Sequence, residues 1–83
     1  MNRSEMLAVV KANILKIVED VDESQISEEV SMRDLGADSL QIVEVVSRSM
    51  KELRLKVPRT DLSKARNLKQ LLDLFEKAAA QEA

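Results

Sequence analysis

The stretch Asp34-Leu35-Gly36-Ala37-Asp38-Ser39-Leu40 is the one place in this 83-residue chain where a glycine, a helix start and a displayable hydroxyl coincide. Asp38 is a good N-cap, and Gln41 stands three residues later, as in a capping box. Ser39 therefore falls in the first turn of a helix. A hydroxyl there lies beside unpaired backbone N–H groups and the positive end of the helix dipole. A phosphate attached to it is electrostatically favoured. The chemistry suggested is a serine that receives a phosphorylated group. Position alone favours the plainer account, a serine that merely starts a helix.

Little else in the chain can do chemistry. There is no His, Cys or Tyr, so no ordinary triad, no soft metal site and no disulfide can be assembled. Asp34 and Asp38 are spaced as a conceivable acid/base pair, but surface acids near a helix start are usually caps and dipole partners. No catalytic residue and no metal ligand is assigned. The absence of Cys fits a reducing compartment. No segment approaches the roughly 18 consecutive apolar residues of a membrane span. Met1-Asn2-Arg3-Ser4-Glu5 lacks the basic and apolar regions of a signal peptide. A soluble, cytoplasmic protein with no membrane partner is expected.

The elements that must position Ser39 are helical. Apolar residues make up 45% of the chain, yet Phe75 is its only aromatic residue, and there is one Gly and one Pro. That composition predicts an all-α fold with a core of Leu, Ile, Val, Met and Ala. A chain this short forms one domain over residues 1–83 and buries only about 60% of its unfolded surface.

The spacing of Leu7, Val10, Ile14, Ile17 and Val21, with Val18 alongside, predicts a first helix over 4–20, capped by Asn2 or Ser4. Residues 21–38 break the period with turn formers, and predict a long loop pinned by Ile26, Val30, Met32 and Leu35. A loop of that length in so small a domain is often functional. The second helix is expected over 39–54. It carries one apolar stripe of Leu40, Val43, Val46 or Ser47, Met50 and Leu53, and another of Ile42, Val45 and Ser49. Part of the second stripe is expected to be exposed beside Ser39. Pro58 stops any preceding helix. Thr60 caps a short third helix over 60–64, and Asn67, with Gln70, caps a fourth over 68–80. Leu68, Leu71, Leu72 and Phe75 give the fourth its core face, and Gln81-Glu82-Ala83 is a fraying tail. The sum is a small bundle of three main helices and one short one.

Charge is unevenly placed. Residues 1–47 carry 4 Lys/Arg against 10 Asp/Glu, whereas 48–69 carry 8 Lys/Arg against Glu52 and Asp61. Without an aromatic residue for stacking, and in a chain of net charge −2, this basic stretch points to protein docking rather than nucleic acid.

Leu35-Gly36-Ala37-Asp38-Ser39-Leu40 resembles the Asp-Ser-Leu signature of acyl carrier proteins. Length, helix order, long first loop and the proline before the short helix also resemble that family, over nearly the whole chain. The resemblance implies that Ser39 is esterified by 4′-phosphopantetheine, transferred from coenzyme A by a phosphopantetheinyl transferase. The arm's thiol would carry acyl groups as thioesters, and the chain itself would not be an enzyme. It further implies that Asp38 assists modification and that Leu40 anchors the helix start. Ile42, Val43 and Ser47 are then placed to meet partners or acyl chain. The chain departs from fatty-acid members in its second helix, where Glu44 and Glu52 are set against Arg48, Lys51 and Arg54. That departure points to a polyketide setting, and the basic stretch 48–69 to Arg48, Lys51 and Arg59 as docking cations.

A narrower resemblance follows. Met50-Lys51-Glu52-Leu53, Leu55-Lys56-Val57-Pro58-Arg59, Ala65-Arg66-Asn67-Leu68 and Leu71-Leu72-Asp73-Leu74-Phe75 are similar to the discrete donor carriers of polyketide β-branching cassettes. It implies a short acyl cargo, usually acetyl formed by decarboxylation of malonyl. It also implies an acyltransferase, a decarboxylating ketosynthase and a 3-hydroxy-3-methylglutaryl (HMG) synthase-like enzyme as partners. After the serine, Gln41-Ile42-Val43-Glu44 departs from the Arg-Ala-Glu of that subgroup. The alternatives are a fatty-acid-type or peptidyl carrier, or an unmodified helical interaction module. A shuttle is expected to be a monomer.

Overall fold

The first turn of α1 (Arg3–Ile17) is set by Asn2, whose side-chain oxygen accepts the Glu5 N–H at 2.9 Å. In the computed structural model, which describes residues 2–81, three further α-helices follow, α2 (Ser39–Leu53), α3 (Arg59–Leu62) and α4 (Leu68–Gln81), and the first loop holds one 3₁₀ turn at Glu23–Gln25. Among the described residues there is no strand, so the expected all-α class holds. Glu82 and Ala83 of the expected tail lie outside the described residues; Gln81 is the last residue of α4.

α1 ends at Ile17, before the expected residue 20. Val18 is already extended, its N–H closing on the Ile14 carbonyl at 2.8 Å, and Asp20 takes a left-handed conformation (φ 62). The chain must turn there, and Asp tolerates that conformation better than most residues. The buried face is also rotated. Met6, Val10, Asn13, Ile14 and Val18 are buried, while Leu7 and Ile17 are only partly so. Helical spacing alone does not fix the centre of a stripe flanked by apolar residues on both sides; packing against α2 and α4 does.

α2 leaves Leu53 through Arg54, a left-handed residue (φ 56), and the Leu55 N–H closes back on the Met50 carbonyl at 2.9 Å. Leu55 is buried, so this end is held by an apolar contact as well as by a hydrogen bond. α3 begins one residue earlier than expected. Pro58, not Thr60, is its N-cap, and the Asp61 and Leu62 N–H groups bond the Pro58 carbonyl. The preset φ of proline suits a helix entry.

The core runs through all three long helices and into the loop. Val10 and Ile14 of α1, Val45 of α2, and Leu72 and Phe75 of α4 are each wholly buried. Ile26, Met32 and Ala37 extend it along the loop, with Val30 and Leu35 partly buried.

The loop is fastened by backbone as well. The Leu68 N–H bonds the Val30 carbonyl at 3.0 Å, and the Lys69 N–H bonds the Glu28 carbonyl at 2.8 Å. The next two N–H groups of α4, those of Gln70 and Leu71, bond the Asn67 side chain and carbonyl. Three orphan donors of that helix start, those of Leu68, Lys69 and Gln70, are thus satisfied, two of them by the loop. Arg3 adds an electrostatic tie. Its guanidinium pairs with Glu28 at 2.7 Å and Asp73 at 2.8 Å, and also with Glu76. The segment leading to Ser39 is therefore docked on α4 and on the start of α1.

Candidate functional site

Three short-range devices place Ser39. The Ser31 hydroxyl accepts the Asp34 N–H at 3.0 Å, and the Asp34 carboxylate accepts the Ser31 N–H at 3.2 Å, which tightens the bend at 31–34. The chain then wraps through Gly36 (φ 97), with the Gly36 N–H bonding the Arg33 carbonyl and the Ala37 N–H bonding the Met32 carbonyl, both at 3.0 Å. Such a φ is open to glycine at no steric cost. Asp38 then caps α2 in a full capping box. Its carboxylate accepts the Gln41 N–H at 2.8 Å, and the Gln41 side chain accepts the Asp38 N–H at 2.9 Å. Both acids serve as caps, not as an acid/base pair.

Ser39 is the first residue of a 15-residue helix, and it is exposed. Its Oγ accepts a hydrogen bond from Arg33 Nη2 at 3.0 Å. The Ser39 hydroxyl thus faces solvent beside the positive end of α2 and one guanidinium, an arrangement that favours an anion there. Sequence reasoning did not single out Arg33. It lies six residues upstream, and only the Gly36 wrap returns it to Ser39.

Side-chain burial along α2 inverts one expectation. Val46 and Leu53 of the first stripe are buried, and so are Val45 and Ser49 of the second, Ile42 being partly so. The exposed surface beside Ser39 comes from the first stripe: Leu40 is 76% exposed, Val43 55%, and Ser47 is open. Leu40, expected to anchor the helix start, lies largely outside the core. The reason lies on α1. Asn13 is fully buried and donates to Ser49 Oγ at 3.0 Å, which holds the Val45–Ser49 side of α2 against α1. Asn13, too, was not legible as a partner of α2, because a lone Asn in an apolar stripe gives no indication of which helix it meets.

A cleft of about 890 Å³ lies beside this surface, between α2, α3 and the start of α4. Ile42, Val46, Met50, Leu62, Leu68 and Leu71 give it an apolar lining. Val43 and Ser47 line it as well, so part of the exposed α2 surface continues into it. Arg33, Arg59 and Arg66, all exposed, line it too. Arg48 and Lys51 are exposed elsewhere on α2. Among the described residues, none of these five cations is in a salt bridge with a carboxylate. Nor, among the described residues, does any group of His, Cys, Asp or Glu converge as a metal site would need, and no helix is long and apolar enough to cross a membrane.

Comparison with known proteins agrees with this geometry. A family model described as the phosphopantetheine attachment site matches residues 12–75. The polyketide biosynthesis acyl-carrier-protein AcpK of Bacillus subtilis (strain 168) is 30% identical over 75 residues, which is 90% of this chain and 92% of that protein. An acyl carrier protein of Thermotoga maritima is 38% identical over 77 residues, 92% of this chain and 94% of its own. Among solved structures, a chain in the crystal structure of the curacin biosynthetic pathway HMG synthase in complex with acetyl donor-ACP superposes with a TM-score of 0.80. It is 32% identical, and the match covers 95% of this chain and 99% of that one. The chain belongs to the acyl carrier protein family, non-catalytic carriers that bear 4′-phosphopantetheine on a serine.

Proposed function

We propose that this protein is a discrete, monomeric, cytoplasmic acyl carrier of polyketide biosynthesis, that Ser39 bears its 4′-phosphopantetheine arm, and that it serves as the acetyl donor carrier in HMG-synthase-type β-branching. The observation that carries the attachment site is the Ser39 hydroxyl, exposed at the first residue of α2 and bonded by Arg33. The residues present suit a phosphodiester: a positive helix end, a guanidinium, and neighbouring carboxylates already held as caps. When attached, the arm supplies a thiol that holds acyl groups as thioesters.

The chain's own residues present and orient. Asp38 fixes the first turn through Gln41, so that Ser39 faces outward to the transferase. Leu40, Val43 and Ser47 offer an exposed strip beside it, with Ile42 partly buried behind. Arg48, Lys51 and Arg59 supply positive charge around that strip for docking. The polyketide and donor assignments draw support from the Bacillus relative and from the structural neighbour, a donor carrier seen with an HMG synthase. The acyltransferase and decarboxylating ketosynthase follow as partners from the need to load and decarboxylate malonyl. The higher identity to the Thermotoga protein favours a second reading, a general acyl carrier not dedicated to β-branching.

The test is intact mass after incubation with coenzyme A and a broad-specificity transferase. One phosphopantetheine is expected on the wild type and none on Ser39→Ala; a gain that survives the substitution overturns the site. The donor role is tested by loading acetyl and measuring turnover with an HMG-synthase-like enzyme. Equal or better service to fatty-acid synthase enzymes overturns that role.

A further inference from the structure

The guanidinium at Ser39 has no structural task that accounts for it. Arg33 is exposed, has no carboxylate partner among the described residues, and makes a single side-chain hydrogen bond there, to the Ser39 hydroxyl at 3.0 Å. The nearest acids in sequence are occupied: Asp34 by the Ser31 N–H, and Asp38 by the Gln41 N–H. The wrap through Gly36 is what returns Arg33 to the start of α2. A neutral hydroxyl is a poor sole partner for a cation that presents a planar fork of donors, whereas a phosphodiester oxygen pair suits it well.

We propose that Arg33 is a phosphate-binding residue of the loaded carrier: its guanidinium, bonded to Ser39 Oγ in the bare chain, pairs with the phosphodiester formed on that oxygen. The inference rests on Ser39 being the attachment site. Before loading, Arg33 occupies a lone pair of Oγ and leaves the hydroxyl hydrogen free for a base on the transferase. After loading, the anion on Oγ lies between the guanidinium and the unpaired N–H groups at the start of α2, and both stabilise it. Since Arg33 also lines the cleft, the phosphate is held on the cleft side of α2. Arginine is specified over lysine, because a point charge on a flexible stem lacks the two-pronged match.

The experiment compares bare and loaded forms of 15N-labelled protein, with loading at Ser39 verified first by intact mass and peptide mapping. The side-chain Nε–H resonance of Arg33 is expected to move on loading at least about twofold further than those of Arg48 and Arg54, as a new charge-assisted hydrogen bond requires. The 31P resonance of the loaded form is expected to move in Arg33→Gln and to be only partly restored in Arg33→Lys. An Arg33 resonance unchanged by loading, or a 31P resonance unchanged in Arg33→Gln, overturns the proposal. Arg33 is exposed, so both variants should fold; their far-UV spectra check this. If the wild type takes no arm at Ser39, the mass reports it before any resonance is read, and the carrier site itself fails.

Discussion

Asn13 on α1 and Ser49 on α2 are both fully buried, and the Asn13 amide donates to the Ser49 hydroxyl at 3.0 Å across the contact between the two helices. The next acceptor for that amide, a Glu52 carboxylate oxygen, is 3.5 Å away, too long to replace it. Removing either partner leaves a buried polar group unsatisfied. Asn13→Ala should therefore cost about 2–3 kcal/mol and Ser49→Ala about 1–2 kcal/mol. In a urea double-mutant cycle the pair of substitutions should cost less than the two singles combined. Strict additivity would show that the bond contributes nothing beyond its parts.

Gly36→Ala tests the wrap that brings Arg33 to Ser39. An added Cβ would meet no atom within 4 Å, so the whole penalty is backbone strain at φ 97. The expected loss is about 1–2 kcal/mol. Relaxation of the wrap should also slow transfer of the arm to Ser39. A variant as stable and as rapidly loaded as wild type would show that the turn is not held by its glycine.

The Arg3 network gives the protein an acid-sensitive tie. Hydrogen bonding from Arg3, opposed by partial desolvation, holds the Glu28 carboxyl below its ordinary value, and the same contact raises Arg3 above its own. A depressed carboxylate stabilises the fold above its unfolded pKa, about 4.3, and the stabilisation is lost as pH falls through the lower folded value. Arg3 stays charged throughout that range. Thermal midpoints should thus fall more steeply below about pH 4.3 in wild type than in Glu28→Gln, and the two curves should run parallel from pH 6 to 8. Parallel curves over the whole range would show the pair to be solvated.

Leu40 and Val43 should separate docking from folding. Both are more than half exposed, so alanine at either should change stability by no more than about 0.5 kcal/mol. Turnover with the partner that uses this surface should fall several-fold, mainly through KM. If the rates stand and the stability drops, these side chains belong to the fold and not to an interface.

Charge reversal at Arg48 and Lys51 tests the basic face. Neither side chain is in a salt bridge among the described residues, so the fold should tolerate Arg48→Glu with Lys51→Glu. Association with an acidic partner should slow by tenfold or so at low salt, and the difference should shrink as salt is raised. Association unaffected at every ionic strength would reduce the face to ordinary solvation.

Much of the helical framework is local information. Asn2 with the Glu5 N–H, Asp38 with Gln41, and Asn67 with the Gln70 N–H each act within three residues, so the helix starts can be read from neighbouring letters. Gly36 is equally legible, since a lone glycine before a capping residue marks a turn. Ser39 could be singled out because its position in the first turn depends only on that cap.

What the letters do not contain is which partner each helix face meets. Two apolar stripes share α2, and nothing within one turn ranks them. Burial of Val45 and Ser49 follows from Asn13, 36 residues earlier, and it leaves Leu40 and Val43 at the surface. Arg33 is short of being local to Ser39 by one turn of backbone, and Arg3 reaches Glu28 and Asp73 across 25 and 70 residues. Caps and turns were determined by the sequence alone because their hydrogen bonds close within a turn. The displayed face of α2, and the guanidinium beside its serine, were decided only when distant segments packed, because burial depends on the whole set of neighbours.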